Sequence, residues 1–211
     1  MKPMPRVLSN GESISSPLSL QFVRFATILL VAFTTGLAFA HLLGAPERVA
    51  YPASFYIAVQ KSMYAGWGLP KIGLFLEPIA ILASGVLAFL VRKQRLAFRS
   101  ALGAMFALLL AFPVVFFLLL APANAVFHAA TAENIPPNWA AFRASWEFGN
   151  ALRCGLQLAA LGSLVLSLTF YAGKSEVKKL GSSADLTSTD RIPAPGEIRR
   201  KRIRWEIKAT R

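Results

Sequence analysis

Four long apolar stretches constrain the fold of this chain more than any other feature. They cover residues 25–43, 72–91, 101–121 and 151–172, and each approaches or reaches the roughly 20 residues that a helix needs to cross a bilayer. The composition agrees, since 55% of the residues are hydrophobic and the mean hydropathy is +0.51. A segment in lipid must satisfy its own backbone hydrogen bonds, so each stretch is expected to be a helix. We therefore predict an all-α, multi-pass integral membrane protein, a bundle of four transmembrane helices.

The distribution of positive charge predicts how these spans are oriented. Eighteen of the 23 Lys and Arg residues flank the termini or the link between spans two and three, against five on the other side. The positive-inside rule then predicts that both termini are cytoplasmic. The net charge of +13 follows from this topology and from a basic tail beside anionic lipid, so no nucleic-acid partner is predicted. The Ala38-Phe39-Ala40 sequence resembles a signal-peptide cleavage site. However, the 24-residue segment that precedes span one is longer than the charged segment that begins a typical signal peptide, which favours an uncleaved span.

The segments outside the spans complete the predicted domain organisation. Residues 1–20 are rich in Ser, Pro and Gly and predict a disordered cytoplasmic N-terminus. Residues 21–172 form the predicted four-helix membrane domain. Residues 173–211 form a basic cytoplasmic tail, which either anchors to the lipid bilayer or docks a partner. Between spans one and two, Val49–Gly66 carries Phe55 and Tyr56 on one face and predicts a short interfacial helix.

A polar stripe leads into the fourth span. At about 100° per residue its members share one helix face. They are Arg143, Trp146, Glu147, Asn150, Arg153, Cys154 and Gln157. An arginine in hydrocarbon costs at least ~2.5 kcal/mol without a partner, so such a stripe indicates a functional site by default.

Depth in the membrane brings other polar residues towards this stripe. His41 lies near the outer end of span one, Glu77 lies about two turns into span two, and Asn124 follows span three. Spans two and four run in the same direction, so Glu77 and Arg153 are expected to form a buried ion pair. The pair has two interpretations: a structural lock, or a site where Arg153 holds an anionic oxygen while Glu77 orients it or exchanges a proton.

Cofactor signals in the sequence are weak. There is no Gly-rich phosphate loop and no metal-spaced Cys/His cluster, so we predict neither a cofactor nor a metal. Ligation of a b-type haem by His41 and His128 is a weaker alternative.

The outer-side residues resemble the signature of the anthrone-oxygenase-like family of small four-span membrane proteins, over about residues 25–172. The matching residues are Asn124, Pro136-Pro137-Asn138-Trp139, Arg143, Trp146-Glu147, Asn150 and Arg153, with Gly36-Leu37-Ala38-Phe39-Ala40-His41 and the Tyr51-Pro52…Tyr56…Met63 segment. One position departs from the family, which often has a histidine where this chain has Asn150.

The resemblance implies cofactor-free oxygenation of an anthrone, a flat apolar carbon acid whose carbanion reacts directly with dioxygen. His41 or Glu77 would then be the base and Arg153 the cation that stabilises the oxyanion. The predicted substrate-binding residues are Asn124, Trp146, Glu147, Asn150 and Gln157. The alternative is a non-enzymatic structural or accessory subunit of a membrane complex or oligomer, whose polar residues form an ion-paired core or a lipid site.

Overall fold

Seven α-helices and one π-helical segment make up the part of the chain that the computed structural model describes, residues 18–65, 69–131 and 133–189. They are α1 (Leu18–Leu43), α2 (Ala45–Ala50), α3 (Ala53–Ala65), α4 (Leu69–Leu90), α5 (Arg95–Leu109), the π-helical segment Leu110–Leu120, α6 (Ala121–Ala129) and α7 (Trp139–Thr189). These ranges contain no β-strand. The predicted all-α class is confirmed.

All four predicted spans are confirmed as helices that are long and apolar enough to cross a membrane. They cover Leu18–Ala50, Lys71–Leu90, Arg95–Ala129 and Trp139–Leu168. The third span consists of α5, the π-helical segment and α6, which follow one another without a break in the helix. The fourth begins at Trp139, so the polar stripe that precedes the predicted span belongs to the same helix as the apolar residues after it.

The helices at both ends of the predicted membrane domain extend past its predicted boundaries, 21 and 172. Helix α1 begins at Leu18, so the last residues of the predicted disordered segment are helical. Helix α7 continues through polar residues to Thr189, well into the predicted tail. The rest of both predicted terminal segments, 1–17 and 190–211, lies outside the described residues. The chain divides into two units, Met1–Ser167 and Leu168–Arg211, and every residue of the candidate site belongs to the first.

Two groups of buried side chains hold the bundle together. The first joins α1, α4, α5 and α7 through small and branched residues such as Val31, Ala80, Ala104 and Ala160. Small residues let membrane helices approach closely, because packing rather than water exclusion drives their association. The second group joins α3, α6, α7 and the π-helical segment around aromatic residues. It lies at the end of the bundle that carries α2, α3 and the α6–α7 loop, which we call the α3 end.

The predicted interfacial helix is present as α3, but it packs on the bundle. Phe55 is exposed, whereas Tyr56, Ile57 and Gln60 are buried. Tyr56 packs edge to face on Phe127 of α6, with ring centroids 5.3 Å apart. The two residues expected to lie together on the membrane surface therefore differ: Phe55 is exposed, and Tyr56 is buried in the protein.

Pro113 explains the π-helical segment. A proline has no N–H to donate, and its ring displaces the carbonyl of the preceding turn, so the helix must distort there. At Pro113 the distortion takes the form of wider helical turns, π-helical over Leu110–Leu120. Helix α4, by contrast, stays α-helical through Pro78. The π-helical segment directs Phe112 and Phe116 towards the candidate site.

Candidate functional site

A pocket of about 140 Å³ lies between α1, α4, α7 and the π-helical segment. Its polar lining residues are His41, Lys71, Glu77, Asn150 and Arg153, and its apolar ones are Leu37, Ala38, Gly73, Leu74, Phe112, Phe116 and Leu120. An apolar cavity of about 150 Å³ in another protein accepts one benzene ring, so this pocket has room for a ring of that size. All three predicted catalytic residues meet here, which makes the pocket the candidate site.

The predicted ion pair is formed at the wall of this pocket. Arg153 Nη2 donates to Glu77 Oε1. The side chains are 12% and 5% exposed, so the pair is largely removed from water. The predicted depth match between spans two and four is therefore confirmed.

The pair leaves hydrogen-bonding capacity unused. Glu77 Oε2 and Arg153 Nε are buried and have no hydrogen-bond partner among the described residues. The amide of Gln157 lies beside the Glu77 carboxylate, and among the described residues it is buried with no hydrogen bond of good geometry. Buried polar groups in proteins are almost always paired, so such a concentration beside a pocket needs an explanation. A ligand with its own polar atom would supply the missing partners.

The spacing of α7 and one glycine position these side chains. Asn150, Arg153 and Gln157 follow one another at helical intervals and so point to the same side of α7. A Cβ at Gly149 would overlap with Leu120 Cδ1 and would lie 3.1 Å from Leu119 Cβ. Glycine at this position therefore allows α7 to approach the π-helical segment closely, directly beside Asn150.

A second ion pair lies towards the α3 end. Arg48 Nε donates to Glu147 Oε1 at 3.0 Å and Arg48 Nη2 donates to Glu147 Oε2 at 2.8 Å. The same Nη2 also donates to the His41 carbonyl at 2.6 Å, and the Tyr56 hydroxyl donates to Glu147 Oε1 at 3.2 Å. Burial, together with the nearby Glu147 carboxylate, raises the pKa of the Tyr56 hydroxyl above its ordinary value. Glu147, predicted to bind substrate, lies in this network and does not line the pocket.

Trp146 connects this network to the pocket. Its Nε1 donates to Asn124 Oδ1 at 2.8 Å, and its ring meets the His41 imidazole edge on, with centroids 5.7 Å apart. The Arg48 guanidinium lies 5.3 Å from the Trp146 ring centroid. Trp146 and Asn124, both predicted to bind substrate, do not line the pocket; they support the side chain of His41, which does. Asn150 does line it, and its Nδ2 donates to the Trp146 carbonyl at 3.0 Å.

Sequence reasoning missed Arg48 of the second network, and it placed Tyr56 on the face of an interfacial helix rather than beside Glu147. Arg48 lies beyond the predicted end of span one, and only the fold of α2 brings it back to α7. One signal was available: Glu147 at a membrane boundary needs a cation, and few cations lie on its side. The partner of Glu147 could therefore have been sought among the five Lys and Arg residues on that side.

The two histidines do not form a common site. His41 lines the first pocket, whereas His128 lines a second pocket of about 60 Å³ with Gln60, Lys61, Asn124 and Phe127. Ligation of one haem would require His41 and His128 to face the same pocket, and they line different pockets. Within the described ranges, no three His, Cys, Asp or Glu side chains are grouped as metal ligands would be.

Comparison of the chain with protein-family models, with characterised proteins and with solved structures finds no match.

Proposed function

We propose that this membrane protein binds a small, weakly acidic aromatic molecule in the first pocket and oxygenates it without a bound cofactor. The observation that supports this most is the Glu77–Arg153 pair at the pocket wall. In the part of the chain that the structure describes, one of its carboxylate oxygens and one of its guanidinium N–H groups have no hydrogen-bond partner. A ligand oxygen that gains negative charge would accept from Arg153, and the free Glu77 oxygen would accept a proton.

The shape of the pocket suits a flat apolar ligand. Phe112 and Phe116 supply aromatic walls, and the Arg153 guanidinium lies 5.9 Å from the Phe116 ring centroid. Leu74 lines the pocket and is 49% exposed on the outer surface of the bundle. One ring of an anthrone would occupy the pocket, while the remaining rings extend past Leu74 towards lipid.

The proposed reaction replaces a CH₂ group of the ligand by C=O. Glu77, or His41, takes one C–H proton, and Arg153 stabilises the enolate oxygen that carries the resulting charge. The carbanion transfers an electron to dioxygen, and the two radicals combine to form a C–O bond. The peroxide anion that forms takes the proton back from Glu77 or His41 and becomes a hydroperoxide. The resulting hydroperoxide loses its second C–H proton and its O–O bond as water leaves. One dioxygen is consumed, one oxygen atom enters the product and the other leaves as water.

Oxygen uptake by the purified protein in lipid nanodiscs tests this proposal, with emodin anthrone as the probe. We expect uptake above the rate with empty nanodiscs. Loss of an oxyanion-stabilising group lowers rates about 10²–10³-fold, so Arg153→Ala should fall to near background. Arg143→Ala is the matched control, because Arg143 stacks on Trp139 away from the pocket. Uptake equal to background in the unmodified protein, or unchanged by Arg153→Ala, contradicts the proposal.

A second candidate function is a structural or accessory membrane subunit. The observation that favours it is the presence of two buried ion pairs, which tie α2 and α4 to α7. The stripe residues Trp146, Asn150 and Gln157 are buried by the chain's own helices, so a partner would have to bind elsewhere. Native mass spectrometry after mild solubilisation distinguishes the two candidates. A stable complex with another protein, together with no retained small molecule, favours the accessory role.

The orientation of the bundle belongs to the same proposal. We infer that both termini are cytoplasmic and that the first pocket lies in the outer half of the membrane, because most basic residues flank the other end. Fusions at residue 211 to a fluorescent protein and to alkaline phosphatase test this. Fluorescence without phosphatase activity is expected, and the reverse pattern contradicts the inference.

A further inference from the structure

The second pocket has a polar lining that the proposed chemistry does not use. It lies between α3 and α6, has a volume of about 60 Å³, and is lined by Gln60, Lys61, Asn124, Phe127 and His128. One water molecule takes up about 30 Å³ in the liquid, so the space suits one or two very small occupants.

Gln60 indicates that the pocket is occupied. Its side chain is largely shielded, at 2% residue exposure, yet neither amide atom has a hydrogen-bond partner among the described residues. The Tyr56 hydroxyl beside this amide donates its proton to Glu147, so it has none for the Gln60 oxygen and accepts at most one of the two Gln60 N–H groups. Native proteins pair nearly all such buried amides with protein groups or with a bound species. The missing partner of Gln60 therefore belongs in the adjoining space.

The neighbouring groups determine the charge that this space favours. The oxygen of Asn124 accepts from Trp146 Nε1, so its NH₂ group is the part left to act as a donor. Lys61 Nζ donates to the Ala130 carbonyl and has further N–H bonds to give. None of the described lining residues is acidic. A cationic amine with amide donors favours a negative occupant over a cation.

We propose that this pocket binds a small monovalent inorganic anion of the chloride class, held by Lys61 and by the amide groups of Gln60 and Asn124. Chloride fits the size of the space and accepts several N–H bonds at once. The bound anion would also hold Asn124 in place, and Asn124 in turn fixes Trp146 against His41. The site stands independently of the oxygenation proposed for the first pocket, because its argument uses none of that chemistry.

The test is the thermal stability of the purified full chain in nanodiscs as sodium chloride replaces sodium gluconate at constant ionic strength. A ligand that binds only the folded protein stabilises it in proportion to the logarithm of its concentration above the Kd. Between 1 and 200 mM chloride we expect the melting temperature to rise by about 3 °C, in proportion to the logarithm of the chloride concentration above the Kd. Gln60→Leu and Lys61→Met should lose this rise. Ser62→Ala should keep it, since Ser62 is exposed, does not line the pocket, and donates its hydroxyl proton to the Val59 carbonyl of its own helix.

The outcomes distinguish a bound anion from bound water and from an anion held at another place on the protein. A melting temperature that is independent of chloride overturns the proposal and leaves water as the occupant. A rise that persists in both Gln60→Leu and Lys61→Met overturns it too, because the anion would then bind elsewhere. If Gln60→Leu does not fold, Lys61→Met and crystals of the unmodified protein grown with sodium bromide decide the question. An anomalous bromide peak within hydrogen-bonding distance of Gln60 supports the site, and an empty pocket in those crystals contradicts it.

Discussion

Arg48 and Glu147 form a two-point ion pair between α2 and α7, with Arg48 Nε 3.0 Å from Glu147 Oε1 and Nη2 2.8 Å from Oε2. Each side chain is 10% exposed. Helix α2 has six residues, too few to be stable in isolation, so this contact and its neighbours hold it in place. The same arginine holds the carbonyl of His41, which links the pair to the wall of the first pocket.

Replacing only one member of this pair should destabilise the protein strongly. Arg48→Met leaves Glu147 as a buried charge without its cation, and we expect a loss of about 3 kcal/mol in the free energy of unfolding. The double variant Arg48→Met/Glu147→Leu should recover much of that loss, because neither charge is then buried alone. Denaturant titration in detergent measures both. Glu47→Gln, an exposed change on the same helix, is the control, and equal losses in the single and double variants would refute this account.

Arg153→Lys separates charge from hydrogen-bonding geometry in the first pocket. Lysine keeps the positive charge beside Glu77 but lacks the Nε–H and the planar fork of arginine. If Arg153 serves only to neutralise Glu77, Arg153→Lys should behave like the unmodified protein. We expect instead a small change in stability, about 1 kcal/mol, and an affinity for an anthrone-like ligand at least about tenfold lower. Fluorescence titration with emodin, the oxidised counterpart of the anthrone probe, measures the affinity.

Tyr56 should make stability sensitive to alkaline pH. Burial and the Glu147 carboxylate raise the pKa of the folded hydroxyl above the ordinary value of 10.0, while an unfolded tyrosine titrates near that value. The contribution of Tyr56 is therefore complete below pH 10 and is lost as the pH rises above it, because only the unfolded state then ionises. We expect the unmodified protein to lose more stability than Tyr56→Phe between about pH 10 and 11.

Absorption near 295 nm gives an independent check on the state of Tyr56. Below about pH 11 the folded protein and the folded Tyr56→Phe variant should develop the same phenolate signal, because Tyr56 stays protonated and adds nothing to it. An extra phenolate in the unmodified protein near pH 10 would show that the hydroxyl is not shielded.

Gly149→Ala should destabilise the contact between α7 and the π-helical segment. The added methyl would overlap with Leu120 and would lie 3.1 Å from Leu119, so the helices must move apart. We expect a loss of about 1–3 kcal/mol, the usual range for overpacking. Gly155→Ala on the same helix has nothing within 4 Å of the new Cβ and is the matched control. It should be neutral or stabilising by up to about 1 kcal/mol, because alanine favours a helix. A loss in the control as large as in Gly149→Ala would mean that the close approach is not the cause.

The sequence alone predicted the Glu77–Arg153 pair but not the Arg48–Glu147 pair, and the difference has a physical reason. Glu77 and Arg153 lie inside apolar spans whose direction and depth follow from the bilayer thickness, so their proximity can be calculated from position in the chain. Arg48 lies beyond the predicted end of span one, in a short segment whose path depends on the turn at Gly44 and on α2 packing beside α7. No bilayer constraint specifies that path.

The sequence by itself determined the four helices, their alternating direction and the face on which the polar stripe lies. Lipid cannot hydrogen-bond to the backbone, so length, hydropathy and helical periodicity are enough to specify these features. Only the tertiary structure decided which stripe residues reach the first pocket. Asn150 and Arg153 line the pocket. Glu147 instead pairs with Arg48 and Tyr56, and Trp146 donates to Asn124. Those pairings depend on the close approach of specific helices and on the wider turn at Pro113, which are set by side-chain packing rather than by the local pattern of the chain.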